Sequence, residues 1–286
     1  MPTPDSPAVG RRRLAQELRR LRSAAGLTIS DVASRLECSA GKISRIETGT
    51  VSAQATDVQA MLDLYGVAPA QRASLTDLVR LSRRRAWWQD YTDVVPAGSS
   101  RFFGLEDGAA CIDQHAGPLV PGLLQTPAYA RSVMEAPGTA SPAEVERRIE
   151  LRLRRQQLLT RAQPPRLHVL LDEAALRREV GGRDVLAGQL DRLAELSGQE
   201  HIRLQVVPFG AGAYTAMGVA FTVFSFSDPA DPHVVYLEQL TGNTLLDTAE
   251  EVRRYEAAYA ESAARALDPA ESADLLRAAA AGVNPG

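Results

Sequence analysis

The sequence predicts an α+β molecule: an N-terminal all-α domain of five helices, followed by a mixed α/β domain with a sheet of about four strands. Three observations predict it. Apolar residues recur at helical spacing between Arg11 and Arg85. Short apolar and β-branched runs appear only from Arg166 onward, with helical stretches between them. The charge divides too: residues 1–90 carry 14 Lys and Arg against 9 Asp and Glu, a net of +5, and the remainder 18 against 26, a net of −8. The organisation expected is a loose tail over 1–8, a helical domain over 9–68, a helical and aromatic junction over 69–100, the α/β domain over 101–281 and a tail over 282–286.

The first helix is expected over Arg11–Ala25, basic, with Leu14, Leu18 and Leu21 on one side. Thr28 and Asp31 have the spacing of a capping box, which starts a second helix at Ile29 with Val32, Ala33 and Leu36 on its apolar face. Ser39 is the N-cap of a third helix, whose buried side is Ile43 and Ile46 and which Gly49 stops. Two further helices are expected over Asp57–Tyr65 and Pro69–Arg85.

Two short helices joined by a tight turn are the layout that places a second helix in the DNA major groove. Outward positions on that helix are Ala40, Gly41, Lys42, Ser44 and Arg45, after the N-cap Ser39. Ala40 and Gly41 are small enough to allow close approach to base edges. Lys42 suits a phosphate or a guanine edge, and Arg45 a bidentate guanine contact. Thr28 and Ser30, at the start of the preceding helix, complete the DNA-contacting set. The basic half should meet DNA, and the acidic half should be repelled by phosphate.

In the second half, Leu105–His115 reads as helix, and an apolar loop from Leu119 leads to a helix at Pro127. Ser141-Pro142-Ala143-Glu144 opens an Arg-rich helix to about Arg161, with proline at the first helical position. Strands are expected over Arg166–Leu171, Ile202–Val207, Val219–Phe226 and His233–Leu237, with helices near Glu173–Glu179 and Asp184–Leu196 between the first two. That order describes a strand-helix-strand crossover followed by a meander. Asp247-Thr248-Ala249-Glu250 and Asp268-Pro269-Ala270-Glu271 cap two closing helices.

Residues 10–66 resemble the five-helix domain of the phage-repressor and xenobiotic-response-element family of regulators. The matching residues are Gly26-Leu27-Thr28, Val32-Ala33, Leu36, Ser39, Ile43-Ser44-Arg45-Ile46-Glu47 and Gly49. The resemblance implies an ion pair between Arg22 and Glu47, so Glu47 is expected to be structural. Two residues depart from the pattern. Ile29 stands where the family often braces a phosphate with glutamine. Glu37 occupies a turn site where glycine is frequent, and a left-handed backbone there costs roughly 1 kcal/mol.

The second half carries Val120-Pro121-Gly122-Leu123-Leu124-Gln125-Thr126 with Tyr129-Ala130-Arg131, then Arg152-Leu153-Arg154-Arg155-Gln156, Asp172-Glu173-Ala174-Ala175-Leu176-Arg177 and Val180-Gly181-Gly182. These strings resemble the domain of unknown function DUF5753, found behind a helix-turn-helix in actinobacterial regulators. The resemblance implies a transcriptional regulator, antitoxin-like in description and often encoded beside a small partner protein.

Other chemistry finds little support. His115, His168, His201 and His233 show no metal-ligand spacing, and no Ser or Cys lies in a nucleophile-elbow sequence. Gly210-Ala211-Gly212 reads as a flexible loop, and Asp172 as the cap of the next helix. In the Arg-rich helix, Glu144–Arg148 and Glu150–Arg154 pair at i, i+4. Arg152 and Arg155 are left over, to meet an anionic ligand or a partner. Trp87, Trp88 and Tyr91 cluster where a domain junction is expected, suited to packing between domains or subunits, or to a ligand pocket.

At 286 residues, 45% hydrophobic, the chain is long enough for two compact units. No apolar run reaches the length of a membrane span, and the first residues lack the apolar core of a secretory signal. With only Cys38 and Cys111 there is no disulfide framework, so a cytoplasmic protein is expected. The expectation is a sequence-specific regulator that binds double-stranded DNA as a homodimer, on half-sites about 34–36 Å apart. Its second domain would supply dimerisation and a small-molecule or protein signal input, with no cofactor, metal, membrane or enzymatic role. The alternative is an antitoxin-like module that binds a small protein encoded nearby, with DNA contact secondary.

Overall fold

The computed structural model describes residues 6–95, 98–136, 140–229 and 231–283. The chain divides into two compact units, one running to Gln89 and the other starting at Asp90. The expected tails over 1–5 and 284–286, and Pro96-Ala97 of the expected junction, lie outside the described residues.

The first unit consists of α1 (Pro7–Ala24), α2 (Ile29–Arg35), α3 (Ala40–Glu47), α4 (Ala55–Leu64) and α5 (Pro69–Ser82). All five share one core, in which Leu14, Leu18, Val32, Ile43, Met61 and Leu75 are buried. α4 begins at Ala55 and α5 ends at Ser82, small shifts from expectation, and two differences concern the extent of the unit. The first helix begins at Pro7, inside the expected tail, because its first turn is packed: an added Cβ at Gly10 would lie 2.7 Å from Leu81 Cγ. For the same reason α5, expected in the junction, belongs to this unit, with Leu75 and Val79 in the shared core.

The helix ends follow one rule. After α1, α3 and α4, Gly26, Gly49 and Gly66 take φ near +70°. The next residue's N–H then reaches back to Arg22, Arg45 and Leu62 carbonyls respectively, at 3.0–3.2 Å. After α2 the same turn falls on Glu37, with φ of 50° and Cys38 N–H on the Ala33 carbonyl at 2.9 Å. The side chain there is strained where glycine would be at rest.

The second unit contains α6 (Ser99–Gly108), β1 (Cys111–Ala116), α7 (Pro127–Glu135), α8 (Pro142–Gln156), β2 (Arg166–Asp172), α9 (Ala174–Arg177), α10 (Arg183–Leu196), β3 (Ile202–Val207), β4 (Phe221–Ser225), β5 (Val234–Gln239), β6 (Gly242–Leu246), α11 (Ala249–Arg265) and α12 (Pro269–Val283). The sheet has six strands in the order β3-β2-β1-β4-β5-β6, two more than expected. β1, β2 and β3 run parallel, and β4, β5 and β6 continue antiparallel from β1. The expected crossover and meander are therefore both present, and β1 joins them.

Of the helix expected over Leu105–His115, the start lies in α6, which ends at Gly108, and β1 replaces the end from Cys111 onward. Its sequence, Cys111-Ile112-Asp113-Gln114-His115-Ala116, carries little of a strand's apolar signature. Strand pairing on both sides overrides that weak local preference, and tertiary partners receive two of its polar side chains. The His115 ring donates through Nδ1 to the Val219 carbonyl at 2.8 Å, and Asp113 lies near His168. β6 was not expected because Gly242-Asn243-Thr244 is a polar start to an edge strand, closed onto β5 by a two-residue hairpin at Leu240-Thr241. α8 stops at Gln156, where a 3-10 turn over Gln157–Thr160 takes over from the helix expected to Arg161.

α11 covers one face of the sheet through Val252 and Tyr259, against Leu170, Val223 and Val235. Its N-cap is Thr248, which accepts from Glu251 N–H, and Asp268 and Glu271 form a reciprocal box at the start of α12.

Candidate DNA-binding face and a basic cavity

The turn between α2 and α3 is held by local caps. The Thr28 hydroxyl accepts from Asp31 N–H at 3.1 Å, and Asp31 accepts from both the backbone N–H and the hydroxyl of Thr28. These bonds also hold the Asp31 carboxyl below the usual carboxylate range. The Thr28 hydroxyl proton is thus already used. Ser39 caps α3 by accepting from Lys42 N–H at 3.2 Å.

Ile43, Ile46 and Glu47 turn inward, while Ser39, Ala40, Gly41 and Arg45 are exposed and Lys42 and Ser44 half-buried. Gly41 lies under the Arg45 guanidinium, whose nitrogen would be 3.6 Å from an added Cβ. The Lys42 ammonium is bound to Asp57 of α4 at 2.6 Å, a bond that raises its pKa. Ser30 is exposed on α2.

Behind this face, Arg22 Nε donates to both Glu47 oxygens at 2.9 Å, with the side chains only 14% and 3% exposed. Arg22 also reaches the Leu27 carbonyl at 2.6 Å, and Arg19 reaches that of Glu47 at 3.0 Å. The pair therefore ties α1 to the end of α3. Nearby burial, and then the Glu47 charge, push the Tyr65 hydroxyl well above its ordinary range.

The three aromatics of the expected junction are divided. Trp87 and Trp88 pack edge to face at 5.6 Å in the first unit, with Trp88 buried. Tyr91 belongs to the second, where the Arg147 guanidinium lies 4.3 Å from its ring centre.

Arg152 and Arg155 sit on one wall of a cavity of about 540 Å³ in the second unit. Arg155 forms a two-pronged pair with Glu106 of α6, at 2.7 and 2.9 Å, with side chains 12% and 5% exposed. Burial works against its charge, but Glu106 and, after it, Glu238 and Tyr236 together raise its pKa. The rings of Phe102 and Phe103 lie 5.0 and 5.2 Å from the guanidinium. Arg152 has no such carboxylate: its hydrogen bond goes to the neutral Gln125 side chain. Burial, and then the neighbouring Arg155 charge, lower its pKa to about 10.

The loop before α7 is shaped to receive Arg152. An added Cβ at Gly122 would meet its guanidinium at 3.1 Å. Gln125 and Gln156 brace the loop through the Val120, Gly122 and Gln125 carbonyls at 2.7–3.0 Å, and Gln189 through that of Leu124 at 2.9 Å. Of these residues, sequence reasoning found the two arginines but not Glu106, Gln125 or the floor of the cavity. The only signal was the loop string Val120–Thr126 itself.

On the opposite side of β1, the Cys111 thiol is pushed up to about 11 by burial and then by the Asp113 charge, which makes it a poor nucleophile at neutral pH. Among the described residues, no cluster of His, Cys, Asp and Glu is suited to a metal ion, and no helix is long and apolar enough to cross a membrane.

A capped helix pair with an exposed third helix, followed by a separate mixed α/β unit, defines a two-domain helix-turn-helix protein. Residues 13–75 match a family model described as a helix-turn-helix domain, and residues 99–278 match one described as a domain of unknown function, DUF5753. The second match spans more than half of the chain, so the chain belongs to the DUF5753 family and carries a helix-turn-helix domain in front of it. No curated protein and no solved structure matches it. The helix-turn-helix domain supports a DNA-binding regulator.

Proposed function

We propose that the chain is a sequence-specific transcription regulator of the xenobiotic-response-element and phage-repressor type, with α3 as the helix that enters the major groove. The observation that carries this reading is the division of α3. Ile43, Ile46 and Glu47 anchor it, leaving Ala40, Gly41 and Arg45 exposed on the other side. The N-terminus of α3, capped by Ser39, favours phosphate oxygens, and the net positive charge of residues 1–90 favours approach to DNA. Ser30 and Ser44 offer hydroxyls for backbone contacts. Thr28 serves chiefly as a cap.

One recognition helix reads few bases, so the regulator acts in the cytoplasm as a homodimer, with the second domain supplying dimerisation and signal input. It works as a binding protein rather than an enzyme. Fluorescence anisotropy on the native promoter tests the core of the proposal. Lys42→Ala with Arg45→Ala should weaken binding by about 1–3 kcal/mol per lost base contact while leaving the melting curve near that of the parent. Undiminished affinity of the folded double variant refutes the assignment of α3.

A second reading, an antitoxin-like module that binds a small neighbouring protein, is favoured by Phe209, Met217 and Leu240, large apolar side chains that stand exposed on the second unit. Co-expression with the adjacent gene product, followed by affinity purification, separates the two. A stable complex that no longer binds the promoter favours the antitoxin reading.

A further inference from the structure

We infer that the cavity beside α8 binds a small organic anion, a carboxylate or phosphate monoester on an aromatic or apolar body. This deepens the reading of the second domain as a signal input and rests on it. The first ground is the unbalanced charge at Arg152. Its side chain is largely buried, with the guanidinium against the loop before α7, yet no carboxylate lies within ion-pairing distance among the described residues, and the side chain it meets, Gln125, is neutral. Even with its pKa lowered to about 10, the group is a cation at neutral pH. A buried cation is ordinarily paired, and an incoming anion would complete this one.

The floor supplies the second ground. Gln114 on β1 pairs in register with Thr222 on β4, and Thr222 with Tyr236 on β5, so their side chains form one row on the cavity face of the sheet. None of the three has a side-chain hydrogen-bond partner among the described residues, although Thr222 and Tyr236 are buried. The Nε of Arg148, on the wall, is likewise buried without a partner. Donors and acceptors thus converge on one space from α8 and from three strands.

Shape and composition fix the rest of the ligand. Phe102, Phe103, Val120 and Leu151 line the remaining wall and suit an apolar or aromatic body. The volume of about 540 Å³ falls within the range of small-molecule sites. Arg155 is already neutralised by Glu106, so Arg152 is the anchoring charge. Glu238 also lines the cavity and its charge favours the cationic form of both arginines, but it is exposed and forms no ion pair with either.

The test uses the full chain and fluorine NMR with three probes: 4-fluorobenzoate, 4-fluorophenyl phosphate and the neutral 4-fluorobenzamide. At least one anion should show saturable line broadening, with the amide at least about tenfold weaker. Which anion responds distinguishes a carboxylate from a phosphate ligand. Arg152→Gln should abolish the response, while the same titration on Lys42→Ala with Arg45→Ala should leave it intact. The comparison of anion with amide on the parent needs no variant, so a misfolded Arg152→Gln does not blunt it. The inference is overturned if neither anion binds, if the amide binds as well, or if a folded Arg152→Gln still responds. Because the readout involves no DNA, failure here leaves the promoter-binding result standing, and the reverse also holds.

Discussion

Each unit of this chain buries an arginine–glutamate pair between helices, and the two pairs differ in what surrounds them. Arg22–Glu47 is closed on all sides by further partners: the Leu27 carbonyl takes a second guanidinium nitrogen, and Arg19 caps the Glu47 carbonyl. Arg155–Glu106 is backed by two aromatic rings and has another arginine, Arg152, as its neighbour on the helix. The same chemistry serves framework in one place and, in the other, sets the edge of a cavity that retains a surplus charge. A buried pair tells little about role until its neighbours are counted.

The largest effect should come from breaking the pairs. Glu106→Ala and Glu47→Ala each strand a buried guanidinium, at a cost of about 3–5 kcal/mol. Glu106→Ala should be the more damaging, because Arg155 then faces Arg152 with only the exposed Glu238 carboxylate in the cavity, whereas Arg22 keeps the Leu27 carbonyl. Urea unfolding measures both, and the two tryptophans, Trp87 and Trp88, both lie in the first unit, so their fluorescence reports on that unit. If Glu47→Ala leaves the tryptophan transition in place, the framework role assigned to its pair is lost.

Next in size is a gain. Glu37→Gly should stabilise the first unit by about 1 kcal/mol, because glycine occupies a left-handed turn without the steric cost. A lower midpoint in the tryptophan transition would mean that the Glu37 side chain makes a compensating contribution.

Smaller still is the effect of Asp57→Asn on stability, within about 1 kcal/mol for a half-buried pair still open to solvent screening. Its use is on the DNA side: freeing Lys42 and removing an anion should tighten promoter binding and steepen its salt dependence. Unchanged affinity would assign Lys42 to bracing α4 against α3 rather than to DNA.

The smallest effect is a pH dependence confined to the second unit. Burial lowers the pKa of both His115 and His168. In the unfolded chain an imidazole takes its proton near pH 6.5, while the folded form resists until lower pH. The unfolded state therefore binds more protons in that window, and stability falls as pH drops below about 6.5. Asp113, whose pKa is raised by burial, works in the opposite sense at the acid end. Replacing both histidines by glutamine should flatten the loss between about pH 7.5 and 5.5, and an unaltered slope would place the effect elsewhere.

What was legible in the sequence tracks how local the determining contacts are. Thr28 with Asp31, Ser39 with Lys42, and the glycines that end α1, α3 and α4 act within six residues, and each shows in the string of letters. Glu37 was readable as a strained turn for the same reason. Arg152 and Arg155 stood out because helical spacing offered partners to other charges of their helix; Glu144 does pair with Arg148, whereas Glu150 pairs with Arg147 rather than with Arg154. The partners of Arg152 and Arg155 did not stand out, since Gln125 and Glu106 lie 27 and 49 positions away. β1 was misread because its pairing and two of its polar side chains are settled by distant parts of the chain, while a strand of ordinary apolar composition such as β3 was found with its full span.

β1 also governs when the second unit can form during synthesis. Its parallel neighbour occupies 166–171, and its antiparallel neighbour ends at Ser225. One edge of the central strand is therefore open until residues 166–171 have left the ribosome, and the other until residues 221–225 have. Contacts of such separation slow folding, whereas the helical unit needs only nearby partners and can close first. A nascent chain arrested before Phe221 would thus carry a finished helix-turn-helix domain tethered to an incomplete sheet, and that intermediate is where proteases and chaperones would find it.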